Sequence, residues 1–160
     1  MNKDKGEQES LKVIVKMQTT DEAGETLCNE NVALATMIAQ GLRLTYVEDI
    51  SGEGDKVKTT LLLSDKQLQV TRQGAIVYDF VYADGLTHHT RYQTPYGILP
   101  VTLVTSQFDY IGKGLDFVSQ TLERQISIRL ALQSAISMGD TAPMRQTMKI
   151  EVRESVKKYV

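Results

Sequence analysis

From residue 11 onward, apolar and polar positions alternate with period two. In LKVIVKMQ, Leu11, Val13, Val15 and Met17 share one parity, and Lys12, Lys16 and Gln18 take the other. GLRLTYVE sets Leu42, Leu44 and Tyr46 against Arg43 and Thr45, and KVKTTLLL gathers Val57, Leu61 and Leu63, with Thr59 among them. KQLQVTR alternates along its length, and VTLVT places Val101 and Leu103 against Thr102. ISIRLALQ opposes Ile126, Ile128, Leu130 and Leu132 to Ser127, Arg129, Ala131 and Gln133, and MKIEVRE aligns Met148, Ile150 and Val152. Successive strand side chains point to opposite faces, so each segment predicts a strand with one buried and one wet face.

Turn signals separate these runs: DEAG at 21–24, SGEGD at 51–55, SDK at 64–66, RQG at 72–74, ADG at 83–85, GKG at 112–114 and MGD at 138–140. Glycine supplies the positive φ that tight hairpins need. Two stretches are rich in helix formers, NVALATMIAQ at 31–40 and SQTLERQISIRLALQSAIS at 119–137. In the second, the alternation from Ile126 to Leu132 outweighs mixed propensities. Both are expected to be strands, with a helical turn allowed near 115–123. Helices of crossover length do not recur between strands, so a parallel βαβ fold is excluded. A sheet of short strands with one apolar face must bury that face, by folding over into a sandwich or by curling shut into a barrel, which also removes exposed edges. The expectation is an all-β fold, a single antiparallel up-and-down β-barrel of about 8–10 strands. Residues 1–10 read as a flexible tail and 11–160 as one domain.

Composition narrows the function classes. The chain has 160 residues and a formal net charge of −2. That balance gives no clustered cationic surface for phosphates or an anionic membrane, so neither nucleic acid nor membrane is expected as a partner. Cys28 is the single cysteine, which fits a reducing compartment, and with no basic neighbour in sequence it reads as structural. MNKDKGEQES is polar and no signal-peptide h-region follows it, so a cytoplasmic, soluble protein is expected. No phosphate-binding loop, dinucleotide fingerprint or paired-carboxylate motif occurs, and no cofactor is expected. His88 and His89 are adjacent, which sends them to opposite faces of a strand, and no Cys or His stands at zinc-ligand spacing from them. An enzyme is not the expected class.

One run departs from plain alternation: TRYQTPYGILPV at 90–101. It and two others, GEGDKVKTTLLLSDKQLQVTRQGA at 52–75 and VYDFVYADGL at 77–86, resemble the DUF1934 family of small bacterial proteins, often called YwiB-like. YQTPYGILPV is the most specific of the three. Arg72 and Gly74 stand where that family has an Arg–x–Gly turn, with Gln73 replacing the commoner Ser. The resemblance covers residues 41–104 and implies a lipocalin-like (calycin-type) barrel of unassigned function. Lipocalins proper carry a Gly–x–Trp signature and are secreted. This chain has no Trp, and a shared plan does not transfer a cargo.

YQTPYG admits two readings. In one, Pro95 and Gly97 shape a turn outside the central ladder, and Tyr92 and Tyr96 cap a barrel end. In the other, Arg91, Tyr92, Gln93, Thr94 and Tyr96 rim a barrel mouth and, with Arg72, bind a small anionic or aromatic ligand. Arg72, Arg91, Tyr92 and Tyr96 are then expected near one end of the barrel. A protein partner is the competing class.

Overall fold

A computed structural model describes residues 10–49 and 56–155. Residues 1–9 of the expected tail and the turn expected at 51–55 lie outside the described residues, and Ser10, expected in the tail, opens the first strand. Ten strands follow one another: β1 (Ser10–Asp21), β2 (Thr26–Ile38), β3 (Gly41–Asp49), β4 (Lys56–Leu63), β5 (Leu68–Gly74), β6 (Val77–Tyr82), β7 (Thr87–Thr94), β8 (Gly97–Asp116), β9 (Thr121–Met138) and β10 (Met144–Glu154). Each pairs antiparallel with the next, and β1 pairs with β10 from Val13–Glu154 to Asp21–Gln146, which closes the barrel. Closure pairs most of the strand edges that an open sheet would expose.

The alternation in the sequence is the inside–outside alternation of the wall. Val13, Val15, Leu42, Leu44, Leu61, Leu63, Leu103, Ile128, Leu130, Leu132 and Ile150 are all buried at 2% exposure or less. They fill the interior with packed side chains. Both helix-rich stretches are strand, 31–38 within β2 and 121–137 within β9. On β2 the bulkier side chains face out: Ala33, Ala35 and Met37 are buried, whereas Val32 and Leu34 are exposed.

Three local expectations are corrected. No helical turn forms near 115–123; a hairpin turn occupies 117–120, with Gln120 at φ 59°. GKG at 112–114 is not a turn but an irregularity in the β8–β9 ladder between Lys113 and Leu115, where Gly114 takes φ 80°. RQG at 72–74 is the end of β5, and the bend falls one step later, at 75–76. A Cβ on Gly74 would run into the Lys56 carbonyl, so the strand pair closes there only on glycine.

The wall is uneven at one place. Among the described residues, β6 pairs with β7 only at Val77–Gln93 and Tyr78–Tyr92. Beyond that the strands diverge, and the connection between them turns to β8, with Gly85 N–H donating to the Thr105 carbonyl and Thr105 N–H to that of Leu86. His88 spans the divergence, its Nε2 3.1 Å from the Asp79 carbonyl oxygen.

Candidate binding site at the barrel mouth

In an up-and-down barrel, alternate connections share an end, so the β5–β6 and β7–β8 connections gather at one mouth, together with the end of β3 and the start of β4. One rung below it crosses five consecutive strands through successive register pairs: Tyr46–Thr59, Thr59–Arg72, Arg72–Tyr78 and Tyr78–Tyr92. Each of these residues stands on the inward parity of its strand. Arg72 follows Leu68 and Val70, and Tyr46 follows Leu42 and Leu44. The apolar interior therefore ends in a polar and aromatic layer.

The Arg72 guanidinium carries that layer's charge. Its NH2 group lies 3.4 Å from Glu48 Oε1, with the two side chains 20% and 15% exposed. Thr59 donates its hydroxyl to the same oxygen at 3.0 Å. The guanidinium sits over the Tyr78 ring at 5.6 Å, within cation–π range. Tyr78 stacks on Phe80 at 4.1 Å and on Tyr92 at 5.6 Å. Two atoms of the layer, Arg72 Nε and the Tyr46 hydroxyl, are buried with no hydrogen-bond partner among the described residues.

Burial and charge set the ionisation of these groups. Burial pushes the Tyr46 phenol up to about 12, Glu48 reinforces the shift, and Arg72 opposes it. Tyr78 is raised by burial as well, against the pull of Arg72. For Arg72, burial acts downward, and the neighbouring Tyr78, Glu48 and Tyr46 outweigh it, leaving the guanidinium firmly charged. Arg72 and Tyr46 are close enough to bias each other, yet no aligned hydrogen bond joins them.

Of the residues expected at the mouth, Arg72 and Tyr92 come together on the inner face, joined through Tyr78. Arg91 and Gln93 alternate with Tyr92 on β7 and are exposed on the outer face. Thr94 closes the turn, its hydroxyl donating to the Gly97 carbonyl and accepting from Tyr96 N–H. Tyr96 is 98% exposed at the hairpin tip and does not cap the interior. Gly97 opens β8 with φ 142°, so the Pro95–Tyr96 turn stands between strands and outside the ladder. The two arginines share an end of the barrel but lie on opposite sides of its wall. Sequence reasoning missed Tyr46, Glu48, Thr59 and Tyr78. The available signal was a polar or phenolic residue on an apolar parity, as in Leu–Val–Arg along β5.

Other concavities are weaker candidates. A groove of about 520 Å³ crosses the outer wall beside Asp21, Glu22, Gln133 and Arg145. These side chains are exposed, and Arg145 N–H already donates to Glu22. Inside, Thr105 and Ser134 face each other across β8 and β9 without hydrogen-bond partners. That register runs on through Gln146 to Asp21, an exposed carboxylate that already accepts from the Ala23 and Glu25 N–H groups, and it carries no ring. Buried unpartnered polar atoms coincide with aromatic faces and a cation at the mouth.

No helix of the described residues is long and apolar enough to cross a membrane. None of the curated proteins matches the chain. Among solved structures, the ywiB protein from Bacillus subtilis is similar, with a TM-score of 0.75 at 15% identity over 97% of this chain and 100% of that one. At that identity the likeness speaks for the fold. The family described as "domain of unknown function (DUF1934)" matches residues 11–116, from the first alternating strand through the end of β8. Fold and sequence agree, and the chain belongs to the DUF1934 family.

Proposed function

We propose that this chain is a cytoplasmic small-ligand binding module with its site at the barrel mouth. Arg72 and Tyr92 form the inner part, and Thr94 and Tyr96 rim it. One observation carries the reading. Arg72 Nε and the Tyr46 hydroxyl are buried without partners among the described residues, beside a stacked pair of rings, whereas buried polar groups are ordinarily paired. A ligand oxygen satisfies such groups, and the packed interior below limits the ligand to the mouth. The test is a thermal-shift screen of small molecules on the purified chain. A stabilising compound is expected, because a ligand that binds only the folded state raises its melting temperature. Arg72→Gln should abolish that rise. A rise that survives Arg72→Gln places the site elsewhere and ends the proposal.

A second reading, a protein-binding accessory factor, is favoured by the outer wall. Val32, Leu34 and Val47 are each more than half exposed. Val32 is opposite Ile14, and Leu34 is opposite Thr45, two residues from Val47. Stabilisation by a small molecule with no partner protein present decides for the first reading.

A further inference from the structure

We propose that the mouth recognises an uncharged, flat heterocycle with a lactam edge, a ring carbonyl beside a ring N–H, as free nucleobases and nucleosides present it. The proposal rests on the mouth being a ligand site, and it names the ligand's class.

Charge is the first argument. Arg72 is already matched by Glu48, and both side chains are largely buried. An anion drawn to Arg72 meets the Glu48 carboxylate. It must either tolerate that repulsion or displace Glu48 from its cation, and an uncompensated buried charge is strongly unfavourable. A neutral ligand leaves the pair intact.

Hydrogen-bond complementarity is the second. Thr59 and Arg72 both address Glu48 Oε1, which leaves Oε2 clear of these two contacts, and we assign it as the acceptor for the ligand N–H. Arg72 Nε–H is a donor only, and the Tyr46 hydroxyl can donate; neither has a partner among the described residues. Donors beside an acceptor match a carbonyl beside an N–H. A carboxylate or phosphate offers acceptors alone and leaves Oε2 unanswered.

Shape is the third. Tyr78 and Tyr92 stack with 18° between their planes, and a flat ring extends such a stack.

The experiment titrates the full chain with guanosine and uridine, which carry the lactam edge, with 1-methylguanosine and 3-methyluridine, in which a methyl group replaces the ring N–H, and with 4-hydroxybenzoate, a flat anion. Tyrosine fluorescence and melting temperature are the readouts, since the chain has no Trp. Guanosine or uridine is expected to bind, with its N-methylated form weaker by about tenfold or more, as expected for loss of a paired donor–acceptor contact. Glu48→Gln should weaken the lactam nucleoside by about tenfold and let 4-hydroxybenzoate bind by removing the repelling charge. Tyr92→Leu, a variant that leaves the ion pair in place, should lose the nucleoside through the stack alone. The lactam assignment is overturned if neither guanosine nor uridine binds, if the N-methylated form binds as tightly as its parent, or if Glu48→Gln leaves nucleoside affinity unchanged in a variant that melts normally. If 4-hydroxybenzoate alone binds the unaltered chain and Arg72→Gln abolishes it, the ligand class is wrong while the mouth stands as the site.

Discussion

Arg72 occupies a position that alternation assigns to a hydrophobic residue. It is held there by Glu48, by Thr59 acting through Glu48, and by the Tyr78 ring. The polar atoms of this layer are unequally satisfied, and single substitutions report the difference. The Thr59 hydroxyl is fully buried and bonded, so Thr59→Val should destabilise by about 1–2 kcal/mol, leaving Glu48 short of a donor. The Tyr46 hydroxyl has no hydrogen-bond partner among the described residues. Tyr46→Phe in the unliganded chain should therefore be neutral, or stabilising by up to about 1 kcal/mol. Denaturant melts of the two variants check this, and a Tyr46→Phe cost as large as that of Thr59→Val would mean the hydroxyl is bonded.

At the scale of the element, β9 decides between helical composition and strand pattern. Leu, Ala, Gln and Arg favour helix locally, but the strand buries Ile126, Ile128, Leu130 and Leu132 on one face while Arg129 stays exposed. A helix would spread those four side chains around its circumference. Pairing with β8 and β10 on both flanks supplies the hydrogen bonds that override propensity. Leu130→Ala should cost roughly 2–5 kcal/mol through the lost apolar transfer and the residual cavity. Arg129→Ala should stay within about 0.5 kcal/mol. Equal costs in denaturant melts would contradict the inward and outward assignment.

For the molecule as a whole, buried phenols set a limit at high pH. Burial raises the pKa of Tyr46, Tyr78, Tyr82 and Tyr110, with Tyr46 and Tyr110 pushed to about 12 from an ordinary 10.0. The folded chain therefore holds these protons more tightly than the unfolded chain. Stability is fully present below the ordinary phenol value and falls as pH rises from about 10 toward 12. Tyr46 alone should contribute a loss on the order of 2–3 kcal/mol across that window. Melts at about pH 9 and about pH 11, read with tyrosinate absorbance, should show ionisation coinciding with unfolding. Tyr46→Phe should lessen the alkaline loss.

Period-two alternation determined the strands, their inward faces and, through the need to bury one face without leaving edges, an up-and-down barrel. These are local consequences of the pleat, and the residues that carry them are neighbours in the chain. GKG at 112–114 and RQG at 72–74 show where local signals stop. A glycine announces an unusual φ, but whether that φ makes a turn or a ladder irregularity depends on the strand it meets. The site was legible only in part. The TRYQTPYG run contains Tyr92 and the Arg–x–Gly turn contains Arg72, two residues that the strand register brings onto one rung through Tyr78. That Arg72 faces inward and Arg91 outward follows from parity, and could have been read from Leu68 and Val70. That Tyr46, Thr59, Arg72, Tyr78 and Tyr92 form a single rung could not. Their alignment depends on the register of four successive strand pairs, and register is fixed by turn lengths and by core packing from the whole barrel. The pairing of Glu48 with Arg72 belongs to the same class, because the two meet only when β3 and β5 flank β4 in the closed wall.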